Sequence, residues 1–220
     1  MTADPEPSGR DAIAALQAHL HRIYGLTHSS TPDIRPFLVD DDALEQLRPP
    51  GAARPADEWV LVRECDDGLD LAVWIDQIHL DALADAPDTR VVVRRSLRSF
   101  CAVIEGISHF MLLVERARRE EPVTLLELEV QAEIDKFVSA RLHCPEQAPA
   151  IRRALFLDVS LQPGLTPEER SRYREAGRLA RAWCDHLTDL PHLGALLDAQ
   201  RRFWRSPGGH RMSRLRGMAA

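Results

Sequence analysis

The chain has 220 residues, of which 45% are hydrophobic, and it carries a formal net charge of -6. This apolar content is ordinary for a globular protein that buries a core, so we expect a folded chain and not a disordered one. The acidic balance argues against a nucleic-acid-binding domain of the usual basic type, although a local basic patch is still allowed. The first residues are polar and resemble no secretory signal, and no long uninterrupted apolar stretch predicts a membrane span.

The cysteines indicate a reducing compartment. They are spread along the chain without a CxxC pair or a nearby group of histidines, which is typical of a cytosolic protein and not of a disulfide scaffold or a zinc ribbon. We therefore expect a cytoplasmic protein. The four positions are Cys65, Cys101, Cys144 and Cys184.

The N-terminal part of the chain shows helical and strand patterns in turn. Residues 1–10 are predicted to be a disordered tail, and the apolar spacing of 11–24 predicts an amphipathic helix. The segment FLVDDDALEQL, which starts at Phe37, is predicted to form a short helix. EWVLVREC and LDLAVWID flank an Asp-Gly turn and predict a β-hairpin. Two strands alone are marginal in water, and residues 89–95 fit either a third strand or a helix.

The remainder of the sequence is helical. One long helix is predicted over about 96–119, and Thr124 with Glu127 forms a capping box that opens a second helix. A short connection makes the two helices an antiparallel hairpin. The predicted fold class is mainly α (α+β): a helical core with a long central helical hairpin, and a small N-terminal β-hairpin or sheet packed on it.

The predicted domain organisation has one main unit. Residues 11–205 are expected to form a single mainly helical domain, within which lobes at 11–88 (α+β) and 89–205 (helical) are an alternative. Residues 206–220 are expected to be a basic C-terminal tail.

The central helices carry the candidate site. Glu105 and His109 lie four residues apart in the most apolar segment, so that they share one face of a helix. Of the 28 basic residues, Lys136 is the only lysine, and it falls in the facing helix. The candidate polar or ligand site comprises Arg98, Glu105, His109, Arg116, Glu127, Glu133 and Lys136.

Two interpretations of this group compete. In the first, Glu105, His109 and Glu133 bind a divalent metal or transfer a proton inside a helical bundle. The spacing departs from the Glu-x-x-His pattern of di-iron bundles, however, and HExxH is absent. In the second, arginines at both ends of the stripe complete a buried ion-pair network, which is the interpretation that the sequence favours. Glu129 and Glu133 are then a solvated acidic edge that pairs with Lys136.

The C-terminal stretch is a second candidate site, for an anionic partner. Its arginines have no acid among them after Asp198, so that they could bind nucleic acid or an acidic surface. The alternative is a flexible tail with Phe203 and Trp204 in the core. The arginines are Arg201, Arg202, Arg205, Arg211, Arg214 and Arg216.

The sequence favours a non-catalytic function. No phosphate loop, GxSxG motif or dinucleotide fingerprint is present, and no cofactor is predicted. We expect a cytosolic adaptor of bacterial type that binds a protein partner, with the polar group serving as structure. The alternatives are an enzyme that depends on a divalent metal or a small molecule and uses Glu105 and His109, and a protein that binds nucleic acid through the C-terminal arginines.

Overall fold

The computed structural model describes residues 9–27, 31–49, 52, 57–66, 68–161 and 164–220. Most of the predicted tail at 1–10 lies outside these residues, and Gly9 and Arg10 begin the first helix. The described chain confirms the predicted mainly α fold with a small sheet packed on the helices. Its elements are, in chain order, α1 (Gly9–Tyr24), β1 (Leu38–Val39), α2 (Asp41–Leu47), β2 (Glu58–Cys65), β3 (Gly68–Ile75), α3 (Gln77–Ala84), α4 (Thr89–Arg95), α5 (Leu97–Arg118), α6 (Leu125–His143), α7 (Ala148–Phe156), α8 (Pro167–Thr188), α9 (Leu193–Arg205) and α10 (Gly208–Met218).

The sheet has the strand order β1-β3-β2. β2 and β3 form the predicted antiparallel hairpin, in which Trp59 lies opposite Trp74. β1 is the third strand that the hairpin needs, and it pairs in parallel with β3, with Leu38 opposite Val73.

One segment near the sheet departs from the prediction, and the structure decides a second segment that the sequence left open between strand and helix. Residues 38–39 were predicted to be helical, but the helix begins only after Asp40, whose side chain accepts a backbone N–H of the first turn of α2. The segment Thr89–Arg95 is a helix and not a strand, and the Asp88 side chain caps it in the same way. At both places an aspartate N-cap determines where the helix begins, although neighbouring β-branched residues favour a strand.

The predicted helical hairpin of α5 and α6 lies at the centre of the protein. α5 packs against β2, β3 and α3 and also against α6, and α6 packs in turn against α8. The predicted capping box of Thr124 and Glu127 opens α6, with both of its hydrogen bonds formed. This order of layers encloses the polar side chains where α5, α6, β2 and α8 meet.

α5 is also the one described helix that is long and apolar enough to cross a bilayer. In the most apolar 18-residue stretch of α5, 67% of the residues are buried inside the protein. A helix in the core of a folded protein is buried to a similar extent. The described residues therefore contain no clear membrane span.

The C-terminal segment, expected to be a basic tail, contains helix α10. α10 packs against α8, and Met212 and Leu215 are buried in the core. Gly208, the first residue of α10, approaches α6 so closely that a Cβ atom there would overlap Oε1 of Glu127. A Cβ atom at Gly209 would meet no atom within 4 Å.

This close approach gives a matched pair of substitutions. Alanine is favoured over glycine in a helix by about 0.5–1 kcal/mol, so we expect Gly209→Ala to leave the free energy of unfolding unchanged or to raise it. Gly208→Ala should lower it by about 1–3 kcal/mol, because the added methyl group displaces a buried carboxylate. Urea unfolding of both variants measures the difference. Equal stabilities would contradict the close packing of α10 on Glu127.

Candidate functional site

Six ionisable side chains meet where α5, α6 and the start of β2 come together, and they are called the central cluster here. Two of them project from successive turns of α5, three project from the side of α6 that faces α5, and one comes from the start of β2. One oxygen from each of two glutamates and one nitrogen of the histidine all lie within 4.8 Å of one another; these three residues are Glu105, His109 and Glu129. The complete cluster comprises Glu58, Glu105, His109, Glu129, Glu133 and Lys136.

Lys136 is the fixed cation of the central cluster. Its Nζ atom lies 2.8 Å from Oε2 of Glu105 and 2.7 Å from Oε1 of Glu133. Burial lowers the pKa of Lys136, but the two carboxylates outweigh this effect and raise the pKa well above its usual value. Burial likewise raises the pKa of Glu105, but Lys136 and His109 together bring it below its usual value. Lys136 therefore stays protonated and joins α5 to α6.

The imidazole of His109 is held on one side only. Its side chain is buried, and Nδ1 lies 3.7 Å from Oε1 of Glu58. Nε2 is buried and has no hydrogen-bond partner among the described residues. Burial lowers the pKa of His109, but the carboxylates around it, chiefly Glu58, outweigh burial and raise the pKa to about 9. The ring therefore presents one nitrogen to Glu58 and keeps the other without a protein partner.

Glu58 and Glu129 were not among the predicted site residues. Glu129 was expected at a solvated edge, but it is buried, and its nearest cation is Nε of Arg172 at 3.7 Å. Burial raises the pKa of Glu129 to about 7 and also raises that of Glu58. Glu129 could have been found, because it shares a face of α6 with Glu133 and Lys136. Glu58 could not, since its position depends on how the β-hairpin packs.

Arg98 lies outside the central cluster, contrary to the prediction. Its guanidinium donates to Oδ1 of Asp57 at 2.7 Å. The same oxygen lies 2.9 Å from Nε2 of His79, whose Nδ1 is 3.1 Å from Oγ of Ser99. His79 and Ser99 are buried, so this chain of contacts attaches the start of the β-hairpin to α5.

Arg116 and Glu127 belong to a different group at the other end of α5. Arg116 pairs with Glu121, and its Nη2 lies 4.0 Å from Oε1 of Glu127. Nη2 of Arg211, from α10, lies 3.7 Å from the same oxygen. The predicted stripe therefore divides between two sites. The second site is called the Arg211 network and comprises Tyr24, Ser108, Arg116, Glu121, Glu127, Gln131, Asp135 and Arg211.

The Arg211 network is a continuous chain of buried hydrogen bonds. Arg211 donates to Oε1 of Gln131 at 2.9 Å, and Nε2 of Gln131 donates to the hydroxyl of Tyr24 at 2.7 Å. Asp135 accepts from Tyr24 and, at 2.6 Å, from Ser108. These hydrogen bonds fasten α10 to α1, α5 and α6, although Nε of Arg211 is buried without a hydrogen-bond partner among the described residues.

The arginines expected to bind an anionic partner differ in exposure. Arg211 is only 3% exposed, so it is not part of a basic surface. Arg201 donates to the backbone oxygen of Arg22, and the guanidinium of Arg214 lies over the ring of Trp183 at 4.7 Å from its centroid. The exposed members of the predicted set are Arg202, Arg205, Arg214 and Arg216.

Asp135 gives a prediction about stability and pH. Burial raises its pKa to about 6, although hydrogen bonds from Ser108, Tyr24 and Gln131 oppose the shift. The unfolded carboxyl has a pKa of about 3.9, so the native state holds more protons between about pH 4 and pH 6. The contribution of Asp135 to stability therefore falls as the pH rises through this window.

Asp135→Asn removes this titration. We expect the free energy of unfolding of the variant to rise relative to wild type by on the order of 2–3 kcal/mol between pH 4 and pH 7. Urea unfolding at several pH values measures the change. Parallel curves for the two proteins over this range would show that Asp135 does not titrate there.

Comparisons of the chain with models of protein families, with curated proteins and with solved structures gave no match. No residue of the central cluster is therefore assigned by likeness to a known site. Its function has to be inferred from the chemistry of the side chains.

Proposed function

We propose that the protein binds one divalent metal ion through Glu105, His109 and Glu129 and is a metal-dependent enzyme. The observation that carries this proposal is the buried Nε2 of His109, which has no partner among the described residues and belongs to a group of three ligand residues within 4.8 Å. Three protein ligands leave coordination positions for water or substrate, as catalytic metal sites do. A structural site would more often provide four.

The donor set favours a first-row transition ion. An imidazole suits zinc, iron and related ions, whereas sites made only of oxygen suit magnesium and calcium. Glu58 faces the other ring nitrogen of His109 at 3.7 Å. A carboxylate in this position commonly orients a metal-binding histidine and fixes its tautomer, which directs Nε2 to the ion.

The balance of charge in the central cluster is compatible with an ion that takes the place of the His109 proton. Four carboxylates face two permanent cations, which are Lys136 and the neighbouring Arg172. The raised pKa of His109, about 9, makes its imidazole a third cation at neutral pH, so a bound ion would have to displace its proton. A divalent ion would then supply, where the three ligand residues converge, the positive charge that the displaced proton carried.

The chemistry that such an ion supplies is activation of bound water for hydrolysis or hydration of a small molecule. Lys136 and Glu133 stand beside the ligands as a fixed ion pair, 2.7 Å apart. Lys136 holds Glu105 in place, and the ion pair offers a polar contact to a substrate. The adaptor role predicted from the sequence stays a prediction, because no contact with another macromolecule tests it.

Metal titration of purified protein tests this proposal. We expect wild type, stripped with a chelator and titrated calorimetrically with Zn²⁺ or Mn²⁺, to bind one equivalent. Glu129→Gln keeps the shape of the side chain and removes its charge, and His109→Gln keeps a donor for Glu58 and removes the imidazole. Each variant should bind at least about tenfold more weakly.

The matched control is Glu168→Gln, at an exposed position in the first turn of α8. It should bind the metal as wild type does, and thermal melts should show that all the variants are folded. Absence of binding by wild type, or equal affinity in Glu129→Gln and wild type, would refute the metal centre.

A further inference from the structure

A large cavity lies next to the central cluster and is lined by residues of α6, α7, α8 and α10. Its volume is about 800 Å³, which lies in the range of small-molecule sites. Glu133, the partner of Lys136, forms part of its lining, together with Tyr173 from α8. The other walls come from α7 and the residues after it, from α8 and from the end of α10.

One wall of the cavity is cationic. Arg170, Arg174, Arg178 and Arg181 line it from α8. Arg178 pairs with Glu175, and Nε of Arg181 lies 3.7 Å from Asp185. Arg170 donates to the backbone oxygen of Leu165. Neither Arg170 nor Arg174 has a carboxylate partner among the residues that the structure describes.

The cavity also has apolar lining residues. Leu155 and Phe156 from α7 line it, with Val159 beyond the helix and Met218 from α10. Val159 is 53% exposed and Met218 is 37% exposed. Large apolar side chains that share a cavity with unpaired guanidinium groups define a site with two distinct chemical halves.

We propose that this cavity binds a free organic anion that has an apolar body and one acidic head group, a carboxylate or a phosphate. Arg170 and Arg174 contact the head group, because a planar guanidinium matches the geometry of carboxylate and phosphate oxygens. The apolar lining residues cover the body of the ligand and remove its surface from water. This inference goes beyond the proposed metal centre and does not depend on it.

Calorimetry with four probes, in the presence of EDTA, tests the proposal apart from any metal. Laurate and dodecyl phosphate carry both halves of the proposed ligand, dodecanol carries only the apolar half, and inorganic phosphate carries only the charge. We expect the two amphiphilic anions to bind at one site, and each of the other two probes to bind at least about tenfold more weakly.

Two double variants locate the site. Arg170→Gln with Arg174→Gln should weaken binding of laurate about tenfold or more, because charged hydrogen bonds to the head group are lost. Arg202→Gln with Arg205→Gln changes two exposed arginines on α9, outside the cavity, and should have no effect. Failure of both anions to bind, equal binding of dodecanol, or equal loss in the two double variants would overturn the proposal.

Discussion

The ion pairs of Lys136 with Glu105 and Glu133 form the contact on which the centre of the structure depends. They lie between α5 and α6, in the layer that the sheet covers on one side and α8 on the other. A buried ammonium group needs carboxylate partners, and a carboxylate held by that group has a fixed position. Lys136 thus fixes Glu105, and the helical spacing places His109 one turn further along α5.

The need to compensate buried charges also determines how the other polar side chains of the core are arranged. In the middle of α5, Glu105 and His109 meet Glu129 of α6, and Nε2 of His109 has no partner among the described residues, which is the basis for proposing a metal centre there. At the C-terminal end of α5, two buried arginines share Glu127, and a chain of hydrogen bonds continues from Arg211 through Gln131 to Tyr24. Both arrangements contain buried polar atoms without a hydrogen-bond partner among the described residues, but only the first brings possible metal-ligand atoms of three residues within 4.8 Å of one another. We therefore assign chemistry to the central cluster and a structural role to the Arg211 network.

Local signals in the sequence predict much of this fold. The capping box at Thr124, the apolar spacing of α1 and the Asp-Gly turn between two strands each depend on a few neighbouring residues. β1 was missed because a strand of two residues has no periodicity of its own. α10 was missed because its polar, arginine-rich sequence resembles a tail until Arg211 is seen to pair with Glu127 and Gln131.

The candidate site shows what a helical wheel cannot predict, because the wheel ignores the distance between side chains along the helix axis. The wheel correctly groups Glu105 with His109, which are one turn apart. It also groups Arg98 with Arg116, although 18 residues of helix separate them by about 27 Å along the axis. Each of these arginines pairs with a carboxylate near its own end of α5, Asp57 or Glu121. Glu58 enters the site through tertiary packing alone, which no pattern within one helix can reveal.

The most direct test of the central claim is anomalous X-ray scattering from crystals of the protein grown with Zn²⁺, recorded on both sides of the zinc absorption edge. The proposed centre predicts one anomalous peak at about 2.0–2.2 Å from Nε2 of His109 and from carboxylate oxygens of Glu105 and Glu129. A peak-free map, with Nε2 of His109 hydrogen-bonded to water or to a carboxylate, would contradict it.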